Sequence, residues 1–102
     1  PYCDLLVCGF LGDSASRAMD AAHHMFSLIK SGVEKNPQLK IVILGPAVCN
    51  VPKIGGKYRY RMLIKCRNSK ALRDVVRAAL TDTEKQYKDV SAFADMNPEN
   101  II

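Results

Sequence analysis

Arg59, Arg61, Lys65 and Arg67 stand at every second position of GGKYRYRMLIKCR (residues 55–67), interrupted only by Leu63. In an extended chain successive side chains point to opposite faces, so these cations share one side. Tyr58, Tyr60, Met62, Ile64 and Cys66 share the other. One face is then apolar and the other almost entirely cationic. Guanidinium and ammonium groups in such a row suit phosphate oxygens, which they hold by charge-assisted hydrogen bonds that position a partner without reading bases. Lys53 and Lys57 extend the basic run toward the amino terminus, giving Lys53, Lys57, Arg59, Arg61, Lys65 and Arg67 as the candidate phosphate-contacting set.

A second cationic stripe follows. Lys70, Arg73 and Arg77 recur at three and four spacing behind Ser69, which puts them on one helix face beginning at the helix amino terminus. Free amides and the positive end of the dipole lie there too, so Ser69, Lys70, Arg73 and Arg77 form a candidate seat for a carboxylate or acidic peptide, the alternative being a solvated helix face. Nine of the chain's 15 cations and one of its ten anions fall in residues 51–77, leaving the remainder acidic. That asymmetry points to a localised anionic partner, nucleic acid being the commonest, with a solvated basic strand edge as the alternative.

Other chemistry is weakly represented. Cys3, Cys8, Cys49 and Cys66 include no CxxC pair and no signal peptide precedes them, so they read as small buried hydrophobes of a reducing compartment. His23 and His24 are adjacent, hence about 100° apart on a helix, with no further ligand at metal spacing, and read as structural. No catalytic residue and no metal site is expected. No run of about 18 apolar residues exists to span a membrane.

Six elements must position these groups. Residues 2–9 (YCDLLVCG) read as a mostly buried strand closed by Gly9 and Gly12. Asp13 or Ser14 caps a helix running to about Glu34, with Ala15, Ala18, Met19, Ala22, Met25, Phe26, Ile29 and Val33 as its apolar stripe. Residues 40–45 (KIVILG) read as a second strand, residues 46–56 as a connection, and the basic run as a third strand paired to the second in a hairpin. Asn68 or Ser69 caps a second helix with Leu72, Val75, Val76, Ala79 and Leu80 inward, and residues 90–96 (VSAFADM) form a last strand stopped by Pro98.

The order β-α-β-β-α-β is the α+β, ferredoxin-like plan: a four-stranded antiparallel sheet with both helices on one face and the other face open. One domain over residues 1–102 is expected. This architecture also hosts metal carriers and phosphatases, but GFLGDSAS carries neither paired cysteines nor an arginine in an anion-binding loop. RNA-recognition modules place aromatics on the open face; Tyr58 and Tyr60 alternate onto the apolar side, which favours core packing over base stacking for them.

The string ILGPAVCNVPKIGGKYRYRMLIKC (residues 43–66) resembles the carboxy-terminal domain of the bacterial replication-restart helicases of the PriA (primosomal protein N prime) family. There a Leu-Gly-Pro strand end and a proline-containing loop lead through a glycine or charged turn into an Arg-Tyr-Arg-Tyr-like strand. Pro1-Tyr2 resembles the second half of the Tyr-Pro-Pro-aromatic run that opens the family's domain, and Asp95-Met96-Asn97-Pro98 its terminal Asp-Val-Asp/Asn-Pro. Met96 in place of valine and an alanine- and histidine-rich first helix are departures.

The resemblance implies a bacterial cytoplasmic, nucleoid-associated protein. Its parent would be an ATP-dependent DNA helicase, requiring ATP, magnesium and zinc, that recognises stalled forks and reloads the replicative helicase during primosome assembly. The domain would be similar in fold to a small ribosomal-subunit protein and hold forked or branched DNA. Its junction with the helicase lobes of the same chain would take up the acidic carboxy-terminal tail of the single-stranded-DNA-binding protein. A monomer without membrane contact is expected. No GxxxxGK[ST] loop, Asp-Glu-x-His motif or zinc-binding cysteine pair is present in these residues, so the domain by itself is expected not to be an enzyme, and its start at Pro1 suits a domain excised from a longer chain. The alternative is a regulatory or protein-interaction ferredoxin-like module that grips an acidic peptide or small anion.

Overall fold

The computed structural model describes residues 4–99, with the side chains of residues 47–54 excepted. The element order is β1 (Asp4–Gly12), α1 (Ala15–Glu34), β2 (Val42–Ile54), β3 (Lys57–Cys66), α2 (Lys70–Gln86) and β4 (Val90–Met96). The strands form one antiparallel sheet in the order β2-β3-β1-β4, so the basic strand and β1 are central and β2 and β4 are edges.

Both helices start where their capping side chains dictate. Ser14 Oγ accepts the Arg17 N–H and Ser69 Oγ accepts the Leu72 N–H, each satisfying one of the donors a helix start leaves unpaired. Ala18, Ala21, Ala22, Met25 and Ile29 are the buried face of α1; its three alanines let the helix lie close to the sheet. Gly32 matters for the helix pair, since a Cβ there would press on the Val75 side chain of α2. After α1, Asn36 donates its side-chain N–H to the Gly32 carbonyl at 2.7 Å, occupying one of the carbonyls the helix end leaves open.

The core lies between helices and sheet, around Leu6, Cys8, Phe10, Met62, Ile64, Cys66 and Leu72. Two expected boundaries move. The second strand does not stop at Gly45; β2 continues through Pro46 to Ile54, with register shifts between Leu44 and Ala47 and between Val48 and Lys53. Proline is tolerated because β2 is an edge strand and the residue sits in a bulge, where no ladder donor is needed. The connection shrinks to Gly55-Gly56, whose positive φ values of 58° and 82° suit the tight turn that the twist of a hairpin favours. Likewise β1 runs through Gly9 to Gly12 instead of closing at Gly9, while residues 1–3 lie outside the described residues.

The Asp95-Met96-Asn97-Pro98 segment closes the sheet. Asn97, at φ 51°, donates its backbone N–H to Leu5 O, accepts the Leu5 N–H on its side-chain oxygen at 2.8 Å, and donates a side-chain N–H to Asp4. Asparagine suits this left-handed position because its short amide bonds locally. Asp4 also accepts the Asn68 N–H, so one carboxylate ties β1 to the start of α2 and to the end of β4. These bonds, Asn68 first and Asn97 next, hold the Asp4 carboxyl below its usual range.

A carboxylate depressed in the folded state adds stability that is present above its unfolded pKa and lost as pH falls through the folded value. We therefore expect the melting temperature to be flat from neutral pH to about pH 5 and to fall below about pH 4, where free aspartate titrates. Asp4→Asn should make that fall shallower. Melting curves recorded against pH check this, and an identical slope in the variant contradicts it.

Candidate nucleic-acid interface

β3 separates its two faces as the alternation requires. Tyr60, Met62, Ile64 and Cys66 are buried under the helices, and Tyr58 is half-buried at the hairpin end of the strand. Arg59 and Arg61 are half-buried and Lys65 exposed, on the face no helix covers. Lys57 begins the same face, but its ammonium donates to Asp13 at 2.6 Å. Both groups are well exposed, so this pair is worth little and yields readily to a phosphate. Arg67 lies beyond the last residue of β3; it borders a hollow with Leu39, Ile41 and Leu72 and adds to the field on Asp4, so the strand alternation does not extend to it. The Lys53 side chain lies outside the described residues.

The open face as a whole is not the cationic surface that β3 alone suggests. Paired residues share a face, so its rows read Val42, Lys65, Leu5; then Leu44, Leu63, Val7, Asp95; then Arg61, Gly9, Phe93; then Arg59, Leu11, Ser91. β1 and β2 contribute aliphatic side chains, and β4 contributes an aromatic ring and a carboxylate. Val7 is buried on this side, outside the core under the helices. Val42, Leu44 and Phe93 are each about two-fifths exposed. The surface is therefore amphipathic: a band of arginine and lysine set in apolar ground, where charge is screened less by water than on a purely charged sheet.

On α2 the expected stripe is only partly available. Lys70 donates to Asp74 at 2.8 Å, and this bond is the largest cause holding the Asp74 carboxyl below its usual range, with Arg77 and Arg73 adding to it. Ser69 spends its hydroxyl on the cap, and Arg73 donates to Asn68 at 2.8 Å. Arg73 and Arg77 nonetheless flank a hollow of about 210 Å³ between α2 and β4, floored by Leu6, Val76, Leu80, Ala94 and Met96. The helix spacing located the two arginines and, with Val76 and Leu80, part of the floor; Leu6, Ala94 and Met96 come from strands distant in sequence.

His24, Cys8 and Cys66 occupy structural positions. His24 shares a 2.7 Å hydrogen bond with Asp82 across the two helices and packs its ring 5.4 Å from that of Tyr87, while His23 is exposed. Arg17 adds a two-point pair to Asp89 and lies 4.7 Å over the Tyr87 ring, pinning the start of α1 to the loop before β4. Cys8 and Cys66 are buried, and burial pushes the Cys8 thiol up to about 12, far from the reactive range. Cys3 and Cys49 lie outside the described side chains. Among the described residues no group of three or more His, Cys, Asp or Glu could hold a metal ion, and no helix is long and apolar enough to cross a membrane.

The sequence model of the primosomal protein N C-terminal domain matches residues 1–99. The chain belongs to that family. It is 26% identical over all 102 residues to the replication restart protein PriA of Treponema pallidum (strain Nichols), and spans 15% of that protein's length. Three solved structures share the fold of this primosomal protein N C-terminal domain at low identity. The de novo designed protein Foldit4 is 8% identical with a TM-score of 0.65, covering 95% of this chain and 98% of that one. A designed ferredoxin-fold protein is 12% identical at 0.61, covering 94% and 86%. A putative aminohydrolase from methicillin-resistant Staphylococcus aureus is 12% identical at 0.57, covering 92% and 28%. The ferredoxin-like fold is thereby shown. Two of the three are designed proteins, and the likeness bears on architecture alone.

Proposed function

We propose that this chain is the DNA-binding domain of a replication-restart, ATP-dependent DNA helicase, and that it holds forked or branched DNA on the open face of its sheet. The observation that carries the reading is the row of Arg59, Arg61 and Lys65 on a face no helix of this domain covers, with Lys57 at its end in an exchangeable pair. Such a row grips phosphates and leaves base sequence unread, which suits a protein that recognises the shape of a fork. Family membership and the Treponema relative's description as a replication restart protein support the same reading. Helicase catalysis, with its ATP, magnesium and zinc, belongs in this proposal to helicase lobes of the same polypeptide beyond these residues. We place the protein at the bacterial nucleoid.

A second surface supports docking of the single-stranded-DNA-binding protein's acidic tail. Arg73 and Arg77 beside the apolar hollow would take carboxylates while the hollow takes a terminal apolar side chain. Helicase lobes of the same chain would complete the wall, so binding by the domain alone should be feeble. An NMR titration with an acidic carboxy-terminal peptide should shift amides of residues 69–77, and Arg73→Glu should weaken the response several-fold. Shifts confined to β3 with α2 silent would contradict it.

A further inference from the structure

We propose that the Phe93 ring is a stacking seat for an unpaired base of single-stranded DNA. The inference rests on the open-face reading above and adds to it the class of DNA this face prefers. Phe93 is the one aromatic among the exposed large hydrophobic residues of the described chain, at 41% exposure. Its position is set by Gly9, which faces it across the β1–β4 pair. A Cβ at Gly9 would overlap the Cε2–Cζ edge of the ring, so the ring leans back over β1 into the space a side chain would fill. On the far side of Gly9, in the same row, stands Arg61, and Arg59 is next on the same face of β3. With strands about 4.8 Å apart, Phe93 and Arg61 are separated by roughly 10 Å of backbone, and both side chains can close on the gap.

An aromatic covering a sheet glycine is a structural device in its own right. It explains where the ring lies and leaves room for a second role, since Arg61 and Arg59 stand beside the ring on a face no helix covers. A ring held down on one side and partly open on the other, with Arg61 and Arg59 across Gly9 and Asp95 beside it on its own strand, suits a single strand whose base stacks while its phosphates lie toward the β3 guanidinium groups and away from the carboxylate. Within a duplex the base faces are already stacked on their neighbours, so this seat discriminates single-stranded from duplex DNA, which the cations alone do not.

The chain contains no tryptophan, so Phe93→Trp makes a single-tryptophan reporter. We expect a dT12 oligonucleotide to quench its fluorescence, and an abasic oligomer of the same length to bind by anisotropy without quenching. Phe93→Leu, assayed well below its own melting temperature, should weaken dT12 binding about tenfold while leaving the abasic oligomer and a duplex unaffected, and Phe93→Tyr should retain the dT12 affinity. Equal weakening on all three ligands, or binding without quenching, would reduce Phe93 to a cover for Gly9 and leave the basic face standing. Failure of the unmodified chain to bind any of the three would remove the basic-face reading itself. Change in the reporter on concentrating the protein without DNA would show a second copy on this face and overturn the proposal.

Discussion

Replacing Arg59 and Arg61 together by glutamate should weaken duplex DNA binding by at least about 60-fold at 0.1 M salt. Counterion release gives each phosphate contact roughly 0.9 logarithmic unit of affinity per tenfold dilution of salt below 1 M, so two lost contacts cost close to two decades before the new carboxylates repel the backbone. Lys57, Arg59, Arg61 and Lys65 together predict a log-log salt slope near −3.6 for the unmodified domain, and the double variant should fall to about −1.8. Anisotropy titrations over a salt series measure both quantities. The melting temperature should fall far less than on truncating a core residue of the same strand, since these side chains lie outside the core. A salt-independent affinity, or an unchanged slope in the variant, would remove phosphate contact from this face.

What was legible before the structure was local. Ser14 and Ser69 announce their helices because a cap acts within three residues, and the β3 faces are legible because period two needs no knowledge of neighbours. The end of β2 was not: Pro46 reads as a break unless the strand is known to be an edge, and edge position is a property of the strand order β2-β3-β1-β4. The make-up of the open face was hidden for the same reason. Leu5, Val7 and Leu11 look like ordinary apolar residues of a buried run, and only pairing with β3 sets them beside Lys65, Leu63 and Arg59. Phe93 left no trace in the sequence, because Gly9 reads as closing the first strand; only β1 running on to Gly12 makes it a glycine inside a strand, where close approach by another group is expected. Its aromatic partner could be named only once β4 was in register with β1. On α2 the arginines followed from spacing, whereas the loss of Lys70 to Asp74 and of Ser69 to capping are side-chain choices that spacing leaves open.

The opposite face of the same strand gives the complementary experiment. Ile64 is fully buried, lies toward the carboxy end of β3 paired with Leu6 of β1 and Ile43 of β2, and belongs to the core beneath the helices. Its truncation removes apolar contacts and leaves a cavity that a central strand, paired on both sides, cannot move to fill. Ile64→Ala should therefore cost about 2 to 5 kcal/mol. A domain of this size is stable by about 5 to 15 kcal/mol, so the change consumes a large fraction of the total. Even the lower value lowers the melting temperature by roughly 8 to 16 °C. Denaturant and thermal unfolding of the variant measure this, and DNA binding tested well below the new midpoint should keep both its affinity and its salt slope, because no cation has been lost. The two substitutions thus separate stability from binding along one strand, odd positions carrying the second and even positions the first. Harmless truncation of Ile64 combined with unfolding by the arginine pair would invert the faces and, with them, the surface assigned to DNA.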